Sequence, residues 1–199
     1  MIRSTNLSTL SAANGRSLSA TAQLTQGAGI VLVGTALIAI SAHLSIPLFF
    51  TPVPITLQPF AVLLLALLLS PRLALATTVA YLAEGAMGLP VFTPLGLGGV
   101  AQLLGPTGGY LLSYSVVAPL LAIVWRAGSR TFARTLALTA IASFGTLAMG
   151  AIWLGLLTHA APISVLTLAV FPFLPGDVLK VVAAASIGVG VTRLRKQSN

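Results

Sequence analysis

The sequence predicts an all-α integral membrane protein: six transmembrane helices, both termini on the cytoplasmic side (N-in/C-in), and a Gly-rich capping loop on the outer side. Three observations carry this expectation. Only twelve of the 199 residues are charged, ten basic and two acidic, whereas about a quarter of the residues of a soluble domain are charged. The chain is 57% hydrophobic with a mean hydropathy of +1.04. Its basic residues stand in short connections between long apolar runs. A net charge of +8 suits a nucleic-acid binder only where basic side chains gather on a solvated face, which this arrangement does not offer. Without cysteine there is no disulfide framework and no thiolate metal site.

Residues 1–26 are rich in Ser, Thr and Asn, hold Arg3 and Arg16, and contain neither an acid nor an apolar run, so they read as a disordered cytoplasmic tail. No short apolar core follows the first basic residue, which sets them apart from a secretory signal. The apolar stretch 27–48 has 22 residues, enough at about 1.5 Å per residue to span a hydrocarbon core of about 30 Å. Pro52 and Pro54 separate it from a second helix over 57–70. Pro71 and Arg72 then divide that run from a third, 73–87, so the two form a short hairpin. Further helices are expected over 107–125, 135–157 and 175–191, completing a membrane domain at 27–192 ahead of a basic tail at 193–199. No internal repeat is present, which argues against an inverted-repeat transporter.

Orientation follows from the excess of Lys and Arg in short cytoplasmic loops. With the N-terminus inside, the inner segments hold Arg3, Arg16, Arg72, Arg126, Arg130, Arg134, Arg193, Arg195 and Lys196, nine of the ten basic residues. The outer loops hold none. The membrane is therefore expected to be a bacterial cytoplasmic membrane, with anionic lipid as a further contact for the arginines.

Three charges remain after this sorting: Glu84, Asp177 and Lys180. An ammonium inside a membrane helix is costly and faces a cavity or a partner. Asp177 lies three residues before Lys180, on nearly the same helical face. The pair reads either as a neutralised helix start or as a ligand-facing couple, the Lys donating and the Asp accepting. Glu84, beside Gly85, reads as a solvated helix end. His43 and His159 have no second ligand at a spacing that would hold a metal.

The loop 85–105, GAMGLPVFTPLGLGGVAQLLG, contains no Lys or Arg and six glycines. Irregular apolar sequence at membrane depth is tolerated where it is buried in protein or lines a cavity. This marks the loop as a cap, with Phe92 as an apolar wall and Gln102 as an amide donor and acceptor. GPTGGY at 105–110 starts the next helix, with Thr107 and Tyr110 near its mouth, and lacks the Lys of a phosphate loop. VPITLQ at 53–58 sets Thr56 and Gln58 at the mouth of the second helix. Taken alone, these two read as capping and interhelical hydrogen bonding.

Together VPITLQ, GLPVF at 88–92, GPTGGY and LPGDVLK at 174–180 resemble the BioY family, the biotin-specific S components of energy-coupling-factor transporters. The similarity covers about residues 30–192. It implies biotin uptake, with biotin captured with high affinity from outside, and a coupling protein and two ATPase subunits supplied as separate chains. It also implies neither enzymatic activity nor a cofactor. Asp177, Lys180, Tyr110 and the loop around Phe92 become the expected ligand contacts, joined by Gln58, Thr56, Gln102 and Thr107. Lys180 would take the valerate carboxylate and Asp177 a ureido N–H, or the reverse. S components commonly carry AxxxA on the first helix to meet the coupling protein; this chain has Thr35 and Ala39 at that spacing instead. The competing reading is a stand-alone ion-coupled vitamin carrier, for which Glu84 or Asp177 would be the titrating group. An intramembrane enzyme would need a nucleophile, a base and an orienting group that cannot be named here, and a purely structural protein has no use for charges facing a cavity.

Overall fold

The computed structural model describes residues 7–197, and its described part is helical apart from one two-stranded ladder. The helices are α1 (Leu7–His43), α2 (Gln58–Leu68), α3 (Pro71–Ala86), α4 (Gly99–Leu104), α5 (Gly108–Arg126), α6 (Phe132–Thr158), α7 (Pro162–Ala169) and α8 (Leu174–Gln197). Among the described residues, four segments are long and apolar enough to cross a membrane: Ala22–His43, Gly108–Arg126, Phe132–Thr158 and Leu174–Leu194.

The helix expected over 27–48 ends instead at His43. Pro47 explains the shift, because the residue before a proline is pushed towards extended backbone. Ser45–Ile46 (β1) accordingly pairs antiparallel with Ile55–Thr56 (β2), Ser45 opposite Thr56. The helix also begins earlier than the apolar stretch, so the segment expected as a tail overlaps α1 from Leu7 onward. The hairpin of α2 and α3 has a local cause. Ser70 is extended and its side chain accepts a hydrogen bond from the Leu73 amide, with Pro71 in the first turn, where a missing N–H costs nothing.

Two short helices were not legible in the sequence. In α4 the glycine-rich loop turns back on itself through Gly98 and Gly99, both at positive φ, where a side chain would be strained. α7 fills the connection between α6 and α8 and packs on α6.

In the bundle, α5 packs on α6, α3 and α2, while α8 packs on α2 and α6 and α1 on α3 and α2. The main core joins Ile38 of α1, Val62 and Leu67 of α2, Tyr81 of α3, Trp125 of α5 and Ala184 of α8. Thr35 is buried and Ala39 half-buried, so the small-residue pair of α1 faces the bundle and not an open surface. At the end bearing the arginines, guanidinium groups close helix termini. Arg126 donates to the carbonyls of Leu68 and Leu69, and Arg134 to those of Val124 and Trp125, groups a helix end leaves unpaired, and also to that of Ser129 in the connection between α5 and α6. The opposite end, where the segments 44–57, 87–107 and 159–173 meet, carries the candidate site.

Candidate functional site

α8 brings Asp177 and Lys180 inward one turn from its start. Lys180 Nζ donates to Asp177 Oδ1 at 2.9 Å, and both residues are more than nine-tenths buried. The second carboxylate oxygen accepts from Ser143 Oγ of α6, also at 2.9 Å. The carboxylate is thus held from two helices, which a buried ion pair needs if its desolvation is to be offset.

This couple lines a cavity of about 50 Å³, whose wall also includes Thr56, Gln58, Gln102, Thr107 and Tyr110. Seven of the eight residues named from sequence therefore come together, from β2, α2, α4, α5 and α8. A second cavity of about 220 Å³ adjoins it towards the loops and shares Pro54, Thr93, Gln102 and Thr107. Together the two compartments approach the lower end of small-ligand pockets, about 300 Å³.

Several contacts set the shape of the wall. Tyr110 donates its hydroxyl to the Ala169 carbonyl and lies against Phe173, ring centroids 6.2 Å apart. Gly150 makes room for the Tyr110 ring, since a Cβ there would collide with it. Thr56 donates to Gln58 Oε1, the Gln58 amide donates to the Tyr81 hydroxyl, and Tyr81 donates to the Val91 carbonyl. Gln102 accepts from the Gly98 amide and donates to Thr107 Oγ1. The loop is also tied to α6, where Trp153 Nε1 donates to the Gly105 carbonyl.

Phe92 is placed differently from the sequence expectation. It lies behind the wall, edge-on to Tyr81 with centroids 5.4 Å apart, in the space that Gly85 leaves free. Its part is to fasten the loop to α3. Glu84 is half-buried in the last turn of α3 and is not part of either cavity wall.

Sequence reasoning missed Ser143, Thr146, Tyr114, Thr93 and Phe173, all at or beside the cavity. A signal existed for the α6 pair. Thr135, Thr139, Ser143 and Thr146 recur every three or four residues in an otherwise apolar helix, and all four are buried, as expected for one inward stripe. Thr93 carried no such pattern.

The model of the BioY family matches residues 12–197. A biotin transporter, BioY2, of Lactococcus lactis subsp. cremoris (strain MG1363) is 34% identical over 173 residues, 85% of this chain and 92% of the relative. The biotin transporter BioY of Thermotoga maritima (strain ATCC 43589 / DSM 3109 / JCM 10099 / NBRC 100826 / MSB8) is 37% identical over 161 residues, 80% and 92% of the two chains. Among solved structures, the S-component for biotin from an ECF-type ABC transporter superposes with a TM-score of 0.78 at 30% identity, covering 87% of this chain and 93% of that one.

Proposed function

The chain belongs to the BioY family, and from that premise we propose that it is the biotin-binding S component of an energy-coupling-factor transporter in the cell membrane. It is a transport component and not an enzyme. The six-helix count comes from taking α2 and α3 as a short membrane hairpin beside the four longer spans. N-in/C-in orientation is supported by Arg72, Arg126, Arg130, Arg134 and Arg193 falling in the inner connections and at the end of α8. A coupling protein and two ATPase chains would supply the energy.

The single observation that carries the ligand assignment is the buried Asp177–Lys180 pair on a cavity wall. Its 2.9 Å separation bears on which end of biotin it reads. The ureido and carboxylate groups of biotin lie at opposite ends of the molecule, so one close pair addresses one end. A ureido edge presents an N–H beside a C=O, which match a carboxylate acceptor beside an ammonium donor. The alternative would bury the ligand carboxylate next to Asp177, two anions sharing one cation, at a large desolvation cost. We therefore assign Asp177 and Lys180 to the ureido ring. Tyr110 and Phe173 flank it as apolar walls, and Gln58, Thr56, Gln102 and Thr107 line the path outward.

Titration calorimetry of the purified chain with biotin, and with a second vitamin as control, tests the assignment. Saturable binding of biotin alone is expected. Heat from the other vitamin and none from biotin would overturn it.

A further inference from the structure

Two buried side-chain oxygens among the described residues have no hydrogen-bond partner, Thr77 Oγ1 and Thr93 Oγ1. Thr77 sits where α3 crosses α1 at Gly34 and lines neither cavity of the site. Thr93 is 6% exposed and lies in the wall common to both compartments. Thr56, Gln58, Gln102 and Thr107 of the same wall are committed elsewhere: Thr56 to Gln58, Gln58 to Tyr81, and Gln102 to Gly98 and Thr107. An unpaired buried hydroxyl is costly, and one in the wall of a ligand cavity recovers that cost when a ligand supplies the partner.

What that partner is follows from the rest of the outer compartment. Thr107, the N-cap of the nineteen-residue α5, also borders both cavities and makes no side-chain capping bond. A helix start of this kind favours an anion. No Lys or Arg lines the outer compartment, so an anion there is held by neutral donors. With the ureido ring at Asp177 and Lys180, the valerate chain runs outward and ends in this compartment. Resting on the biotin assignment above, we propose that Thr93 donates its hydroxyl to the terminal carboxylate of the ligand, with the α5 N-terminus behind it, and thereby selects ligands that end in a free anion.

The test is calorimetric titration of the full chain, wild type, Thr93→Val and Thr93→Ser, with biotin and with biotin methyl ester. Valine keeps the shape and removes the hydroxyl, and serine keeps the hydroxyl. A hydrogen bond to a charged group predicts a loss of biotin affinity of about tenfold or more for Thr93→Val. Affinity for the ester stays unchanged in that variant, and Thr93→Ser stays near wild type. Equal loss of biotin and ester affinity in Thr93→Val means that Thr93 only packs the wall and overturns the proposal, as does wild-type biotin affinity in that variant. A wild-type chain that binds no biotin overturns the underlying assignment, and the proposal with it.

Discussion

Ser143 of α6 donates to Asp177 of α8 at 2.9 Å, while the other oxygen of the same carboxylate accepts from Lys180. The carboxylate is therefore aimed by two neighbours before any ligand arrives. Removing the hydroxyl in Ser143→Ala leaves Oδ2 without its donor and frees the group to turn. A charge-assisted hydrogen bond is worth roughly 1.5–3 kcal/mol, so biotin affinity is expected to fall about tenfold. Calorimetry showing wild-type affinity in Ser143→Ala would mean that this bond does not position the carboxylate.

Lys180→Ala is expected to weaken biotin binding far more than Arg130→Ala. The first change strips the ammonium from the cavity and leaves Asp177 buried and unpaired, a loss of about 3–5 kcal/mol in stability as well. Arg130 is exposed, its guanidinium 4.8 Å from the Trp125 ring at the opposite end of the bundle. The double variant Asp177→Asn/Lys180→Met should regain thermal stability over Lys180→Ala without regaining binding. Restored binding in that double variant would remove the ion pair from the site.

Tyr81→Phe probes the loop from behind the cavity wall, of which Tyr81 is not itself a part. The hydroxyl accepts from Gln58 and donates to the Val91 carbonyl, and with Phe92 it fastens the loop on α3. Its loss is expected to raise the rate of biotin release several-fold with little change in association, since such changes act mostly on dissociation. Stopped-flow displacement of bound biotin measures both. An unchanged release rate would count against the loop as a retaining element.

Close backbone approach makes a further prediction at the start of α5. A Cβ on Gly109 would lie 2.6 Å from the Met149 carbonyl oxygen, and one on Gly108 would collide with the Leu103 carbonyl. Both obstacles are backbone and cannot rotate away. Gly108→Ala and Gly109→Ala are expected to lower the melting temperature in detergent by several degrees. Gly29→Ala, with nothing within 4 Å, is expected to leave it unchanged or raise it slightly. Equal melting temperatures for all three would show that α5 can shift at no cost.

Much of the arrangement was legible because hydrophobicity and charge act locally. The long spans appeared near their expected places, and Ser70–Pro71 announced the α2–α3 hairpin by its capping chemistry. Pro47 was overlooked, and with it the end of α1 and the small ladder. Phe92 misled because an aromatic residue in an apolar loop says nothing about which side of the wall it takes. That depended on Gly85 and Tyr81, both on another element.

By itself the sequence determined that this chain lives in a membrane, where its spans fall, and that Glu84, Asp177 and Lys180 are the charges left without a topological task. These conclusions rest on runs of residues and on the cost of charge in hydrocarbon, which need no knowledge of neighbours. Only the tertiary structure decided that Asp177 and Lys180 meet at 2.9 Å on a cavity wall, that Ser143 holds the carboxylate from another helix, and that the buried Thr93 hydroxyl in that wall is left without a partner. Hydrogen bonds and close packing join residues far apart in the chain, Ser143 and Asp177 by 34 positions, and no local pattern encodes which distant partner a side chain will find.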